Sequence, residues 1–144
     1  MAVYSDASQL YEALQRVFDK VQERPAAIES FTRSNLVVRL RLTEPDAEVL
    51  LDGRQPPLEV FFGPRPGKAD LELTMAADTL HLVWSGQRKL KDLFFGGQIQ
   101  TSGNLFRAME LADLFREAER VYAAMQQGGS AEDDRQAQAK DTPD

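Results

Sequence analysis

From Leu36 onward the spacing of the apolar residues falls from about four to two, and no other feature of the chain limits its fold as much. Leu36, Val38, Leu40 and Leu42 alternate with Val37, Arg39 and Arg41, the pattern of a strand with one face in a core and the other in water. Glu44-Pro45-Asp46 is turn chemistry, and Val49-Leu50-Leu51 reads as a second strand. Asp52-Gly53 begins a loop that runs through Pro56-Pro57, after which Leu58, Val60 and Phe62 alternate as a third strand. Beyond the rigid loop Gly63-Pro64-Arg65-Pro66-Gly67, Leu71, Leu73 and Met75 alternate with Asp70, Glu72 and Thr74 as a fourth. Four strands in succession predict an antiparallel meander.

Helical spacing governs both flanks. Over residues 6–24, Leu10, Leu14, Val17, Phe18 and Val21 share one face, and Ser5 or Asp6 caps the start. Pro25 ends this helix and suits the first turn of a second, short one that points Ile28 and Phe31 inward. Residues 77–85 are again helical, with Asp78 as cap, Leu80, Val83 and Trp84 on one face, and Gly86 as the stop. Leu90–Phe95 reads as a further short helix broken by Gly96-Gly97, and Gln98–Ser102 as a short fifth strand. Asn104 is placed to cap a long final helix. Leu105, Met109, Ala112, Phe115 and Ala118 form its apolar line, widened by Leu111, Leu114, Val121, Tyr122 and Met125. The order of elements gives an α+β fold: a five-stranded, largely antiparallel sheet with helices packed on one face.

The 144 residues suffice for one domain, assigned to residues 1–127. Residues 128–144 set Glu132, Asp133, Asp134, Asp141 and Asp144 against Arg135 and Lys140 and contain no large apolar side chain, so a disordered acidic tail is expected there. Across the chain 17 basic residues face 23 acidic ones, a net charge of −6. That sign opposes binding that rests on neutralising phosphates, so no nucleic-acid partner is expected, nor is there a basic stretch suited to an anionic bilayer. The absence of cysteine removes disulfide frameworks, thiolate nucleophiles and cysteine zinc sites together. No apolar run approaches the ~18 residues of a bilayer span. Met1–Asp6 lacks the charged start and apolar centre of a signal peptide, and a cytoplasmic protein with no integral membrane segment is expected.

Catalytic chemistry has little to work with. His81 is the only histidine and has no companions in sequence, so it reads as a partly exposed helix residue. Asp70 and Glu72 read as a solvated strand face, and Arg39 and Arg41 as the wet side of a strand. Gly96-Gly97 and Gly103 separate a helix from a strand, whereas a phosphate cradle lies between a strand and the helix that it opens. No catalytic residue, metal ligand or cofactor is assigned. What stands out instead is Leu80–Phe95, where Leu80, Leu82, Val83, Trp84, Leu90, Leu93, Phe94 and Phe95 crowd two short helices. Such residues pack a core, or short helices over a sheet line a hollow for an apolar ligand.

One ordered set of residues resembles a known family. It comprises Gly67-Lys68-Ala69-Asp70, the strand Leu71–Met75, and the helix with Asp78 and Leu80 that ends at Gly86. It continues through Leu93-Phe94-Phe95-Gly96-Gly97-Gln98-Ile99 to Ser102-Gly103-Asn104 opening the final helix. The set is similar to the sterol carrier protein-2 family, over residues from about Leu10 to Met125 and most densely over 67–115. The resemblance implies helices over a five-stranded sheet enclosing an apolar tunnel, and carriage of sterols, acyl chains or other lipids without chemistry. It implies as ligand-binding positions Leu80, Val83, Trp84, Phe94, Phe95, Ile99, Leu105, Met109, Leu114 and Phe115. The partner is then a lipid or other apolar small molecule; the alternative is an accessory protein that presents a hydrophobic intermediate, such as a quinone precursor, to partner enzymes. A third possibility is an interaction module with a filled core. Two departures stand out. Peroxisomal members end in a targeting tripeptide where this chain reads Thr142-Pro143-Asp144, and the acidic tail is foreign to the family's domain.

Overall fold

The computed structural model describes residues 3–127, so the expectation of a disordered tail over 128–144 lies outside the described residues. Helix α1 (Ala7–Val21) buries Leu10, Leu14, Val17, Phe18 and Val21, and Asp6 caps it by accepting from the Gln9 N–H at 2.9 Å. A 3-10 turn (Pro25–Ile28) and the single-turn helix α2 (Glu29–Thr32) bury Ile28 and Phe31. Strands β1 (Val37–Thr43), β2 (Ala47–Asp52), β3 (Glu59–Phe62) and β4 (Leu71–Ala76) come next. Helices α3 (Ala77–Trp84) and α4 (Leu90–Phe95) then lead to β5 (Gln100–Gly103), a 3-10 segment (Leu105–Leu111) and α5 (Ala112–Gln127).

The first three strands form the antiparallel meander that their alternation predicts. The fourth departs from it. Instead of adding at the free edge of β3, β4 crosses to the far side of β1 and pairs with it in parallel, giving the order β3-β2-β1-β4-β5. Charge supplies the reason. In this register Leu40 lies beside Leu73 on the inner face and Arg39 beside Glu72 on the outer, whereas at the β3 edge Glu72 would share the outer face with Glu59. Arg39 bonds Glu72 at 2.9 Å and donates to the carbonyls of Arg65 and Gly67 at 2.9 and 3.0 Å, both in the loop that carries the chain from β3 to β4. Arg65 lays its own guanidinium 3.8 Å over the Phe61 ring. The loop thus covers the outer face at this point. Arg39, expected in water, is only 7% exposed, and Glu72, expected on a solvated face, is its partner. Arg41 remains exposed and reaches Glu48 at 3.4 Å.

The inner face is apolar across β1 to β4. Val38, Leu40, Leu42, Val49, Leu51, Leu71, Leu73 and Met75 are buried there beneath α1 and α3, and α5 packs against both helices. Two helix starts differ from expectation. Asp78 does not cap α3, because the helix begins directly after β4, with Ala76 in the cap position. Asp78 instead accepts from the Val3 N–H at 3.0 Å and holds the start of the chain against α3. Asn104 does act as a cap, accepting from the Phe106 N–H at 3.2 Å, but the segment it opens is 3-10 up to Leu111. At three residues per turn rather than 3.6, residues four apart do not share a face. Met109 therefore leaves the apolar line and is 80% exposed.

Helix α5 is tied to the segment before β1 by two carboxylates. Asp113 accepts from Ser30 Oγ at 2.7 Å, and Glu117, 6% exposed, holds Arg120 at 2.6 Å and Arg24 at 3.5 Å. The hydrogen bond from Arg120 keeps the Glu117 carboxyl below the usual carboxylate range, and that from Ser30 does the same for Asp113. At the end of β5, Gly103 has φ +106° and sits where a Cβ would collide with the Asp70 carbonyl, so this position admits only glycine.

Two outcomes are expected from this arrangement. Arg39→Ala takes a buried guanidinium from Glu72 and two loop carbonyls, and is expected to cost about 3 kcal/mol in urea unfolding, against less than about 1 kcal/mol for Arg41→Ala. Equal small effects would show that Arg39 is not the clamp described. The second concerns acid. A carboxyl whose folded value is lowered contributes stability above its unfolded value, near 4, and loses it as pH falls through the folded value. Stability should therefore hold from neutrality to about pH 5 and drop below about pH 4. Glu117→Gln should flatten that drop and lower stability at neutral pH by roughly 1–2 kcal/mol. An unaltered acid limb in the variant would contradict the assignment.

Candidate functional site

The densest aromatic packing lies where three helices meet above the sheet. Leu80, Val83 and Trp84 recur at helical spacing on α3, and all three are buried. The Trp84 ring stands 5.9 Å from Phe18 of α1, 5.8 Å from Phe115 and 5.9 Å from Tyr122 of α5, the two phenylalanines in edge-on geometry. Phe18 extends the group to Phe62 of β3 at 6.4 Å. The indole is 1% exposed, yet its Nε1–H has no hydrogen-bond partner among the described residues.

Polar groups gather at one border of this cluster. The Tyr122 hydroxyl bonds the Tyr4 hydroxyl and meets His81 Nδ1 at 2.6 Å. His81 is half-buried on α3, as expected, and the companions that the fold brings to it are phenols. Burial pushes both phenols above the ordinary tyrosine value, for Tyr122 with a further upward push from the Tyr4 bond, so both stay protonated at neutral pH. Outside this pair a hollow of about 410 Å³ opens, walled by residues of α1 and α5 that include Glu12, Ala13, Arg16, Tyr122 and Met125. Two further hollows, of about 450 and 550 Å³, lie at strand and loop ends with Arg54 and Arg41 among their walls. Among the described residues no group of three His, Cys, Asp or Glu side chains stands together as a metal site.

The ten positions singled out from sequence divide by their setting. Leu80, Val83, Trp84, Ile99, Leu114 and Phe115 are buried, and Phe94 is half-buried. Phe95 faces solvent at 79% exposure, as does Met109, so neither takes the inward position expected of it. The physical reason at Phe95 is the shortness of α4. Six residues make under two turns, and Leu93 is the one fully buried residue, with Leu90 packed beside it at the core's edge. Leu105 opens the 3-10 segment. Phe18 and Tyr122 were legible as core residues but not as neighbours of Trp84, since helical spacing defines a face and not what lies opposite. Tyr4 carries no signal of its role, because it precedes the first helix.

No curated protein matches the sequence significantly. Solved structures do match in fold. Sterol carrier protein 2 from Yarrowia lipolytica, in its apo form, is 18% identical over 83% of this chain and 96% of its own, with a TM-score of 0.59. The sterol carrier protein domain 2 of Helicoverpa armigera is 21% identical over 72% and 88%, with a TM-score of 0.56. The ubiquinone synthesis protein UbiJ-SCP2 is 17% identical over 69% and 76%, with a TM-score of 0.51. The model of the SCP-2 sterol transfer family matches residues 14–116, from the middle of α1 into α5, and so spans the whole sheet and the helix that carries Trp84. By that match the chain belongs to the SCP-2 sterol transfer family.

Proposed function

We propose that the protein binds and carries an elongated apolar molecule, an acyl chain or comparable lipid, between the inner face of the sheet and helices α1, α3 and α5. The observation that carries this reading is the family match over residues 14–116, which takes in Phe18, Trp84 and Phe115 of the aromatic centre. Leu80, Val83, Trp84, Ile99, Leu114 and Phe115 line the ligand, with Phe94 at the margin. Phe95 and Met109, on the surface, are left out of that lining. The role is carriage and not catalysis. Burial alone supplies the affinity: each methylene withdrawn from water contributes about 0.8 kcal/mol, so about 15 of them gain about 12 kcal/mol gross. Immobilisation and ordering reduce this, and a net −8 kcal/mol, about micromolar, is within reach. Binding of this kind selects length and width more than chemical identity.

A second reading is that the ligand is a hydrophobic intermediate held for partner enzymes. The observation in its favour is the likeness in fold to UbiJ-SCP2, a ubiquinone synthesis protein. Mass spectrometry of the organic extract of the purified protein separates the two, since a lipid mixture supports carriage and a single prenylated ring compound supports presentation.

Trp84 is the only tryptophan, so its emission reports one place. Titration with a long-chain fatty acid bearing a fluorophore that accepts tryptophan emission should quench Trp84 saturably at one ligand per chain. An unlabelled lipid should reverse the quenching. Phe95→Arg should leave both the titration and the stability within about 0.5 kcal/mol of the parent, as expected of a surface site. Binding confirmed by native mass spectrometry without any change in Trp84 emission would place the ligand away from the aromatic centre.

A further inference from the structure

We propose that the ligand beside Trp84 presents a neutral hydrogen-bond acceptor, such as a ketone, ester or quinone carbonyl, to the indole Nε1–H. This rests on the reading that an apolar ligand is taken up between the sheet and the helices, and it narrows the chemistry of that ligand.

The indole nitrogen is the one buried side-chain nitrogen or oxygen without a hydrogen-bond partner among the described residues. Buried polar groups are almost always paired, and an indole N–H is a donor only, so what it lacks is an acceptor. The neighbouring side chains do not provide one. Phe18 and Phe115 approach as hydrocarbon rings, and the Tyr122 hydroxyl is already engaged by Tyr4 and His81. A single water is a poor substitute, since a buried water is held by two to four polar partners and the rings around the indole offer it none. The acceptor is neutral because the rings that stand nearest the indole, those of Phe18, Phe115 and Tyr122, offer no charge to pair with an ion. A carboxylate brought here would be buried without a counter-charge. A plain hydrocarbon would leave the N–H as it is. The unpaired donor thus adds a preference for chemistry to a site whose other contacts select only for size.

With one tryptophan in the chain, the full-length ¹⁵N-labelled protein gives one indole N–H resonance. It is titrated with a matched pair, 9-heptadecanone and n-heptadecane, both delivered from cyclodextrin, with occupancy read by native mass spectrometry. The expected result is that both bind, that the ketone moves the indole proton downfield and slows its exchange with D₂O, and that the alkane does neither. Trp84→Phe should lower the ketone-to-alkane affinity ratio by about tenfold, the effect of one net hydrogen bond. If that variant does not fold, the two titrations of the parent decide alone. Ketone occupancy with an indole signal that is unmoved, or moved equally by the alkane, overturns the inference and leaves uptake standing. Failure of the ketone, the alkane and the fluorescent fatty acid alike overturns the uptake reading itself, and the inference with it.

Discussion

Burying a guanidinium costs solvation that only a full set of acceptors returns. Arg39 has such a set in Glu72, the carbonyls of Arg65 and Gly67, and, more loosely, Glu48 at 3.8 Å. All but Glu48 come from β4 or from the loop that leads into it. Satisfying Arg39 and seating β4 beside β1 are therefore a single event. Because α3 starts where β4 stops, the same event swings Leu80, Val83 and Trp84 over the opposite face. A charge contact on the outside of the sheet thereby decides which side chains meet on the inside.

What meets there is chemically sparse. Rings from α1, α3 and α5 meet in an apolar interior, and on the proposed reading affinity there would scale with buried area, which does not discriminate among lipids of similar girth. Discrimination would have to come from polar groups, and among the described residues two kinds border the aromatic centre. The paired phenols with His81 satisfy one another and face the hollow between α1 and α5. The indole N–H of Trp84 is satisfied by none of the described residues. Of the two, the indole alone has hydrogen-bonding capacity left over.

Most of the elements were legible in the sequence, because alternation and helical spacing each mark a face. Leu36 to Leu42, Leu71 to Met75 and Leu10 to Val21 needed nothing more. Strand order was not legible in that way. Alternation says which residues of β4 point inward but is silent on its neighbour, and the neighbour was chosen by a contact between Arg39 and Glu72, 33 residues apart. The error at Met109 has a different origin. Asn104 rightly announced a helix start, but a cap does not reveal whether the helix it opens is 3-10 or α, and the two geometries drift out of phase within a turn. Phe95 failed for a third reason, since a helix under two turns long can bury one strong residue, here Leu93, without burying the next. Of the aromatic centre, Trp84 and Phe115 were legible as inward-facing positions. That Phe18 and Tyr122 complete it depends on how three helices dock, which no local pattern encodes.

Ala76 and Ala77 are consecutive, so no slack separates β4 from the helix that bears the tryptophan. The rotation of α3 about its axis is therefore indexed to the pleat of β4. A slip of one residue in the β1–β4 pairing would turn the strand's faces inside out and carry Trp84 about 100° around its helix. The pairing that sets this index is the least local in the sheet, with partners 33 residues apart, so a long loop has to be closed to form it. Without it, α1 and the β1–β3 meander keep their own contacts, but nothing fixes where α3 and its tryptophan stand above the sheet.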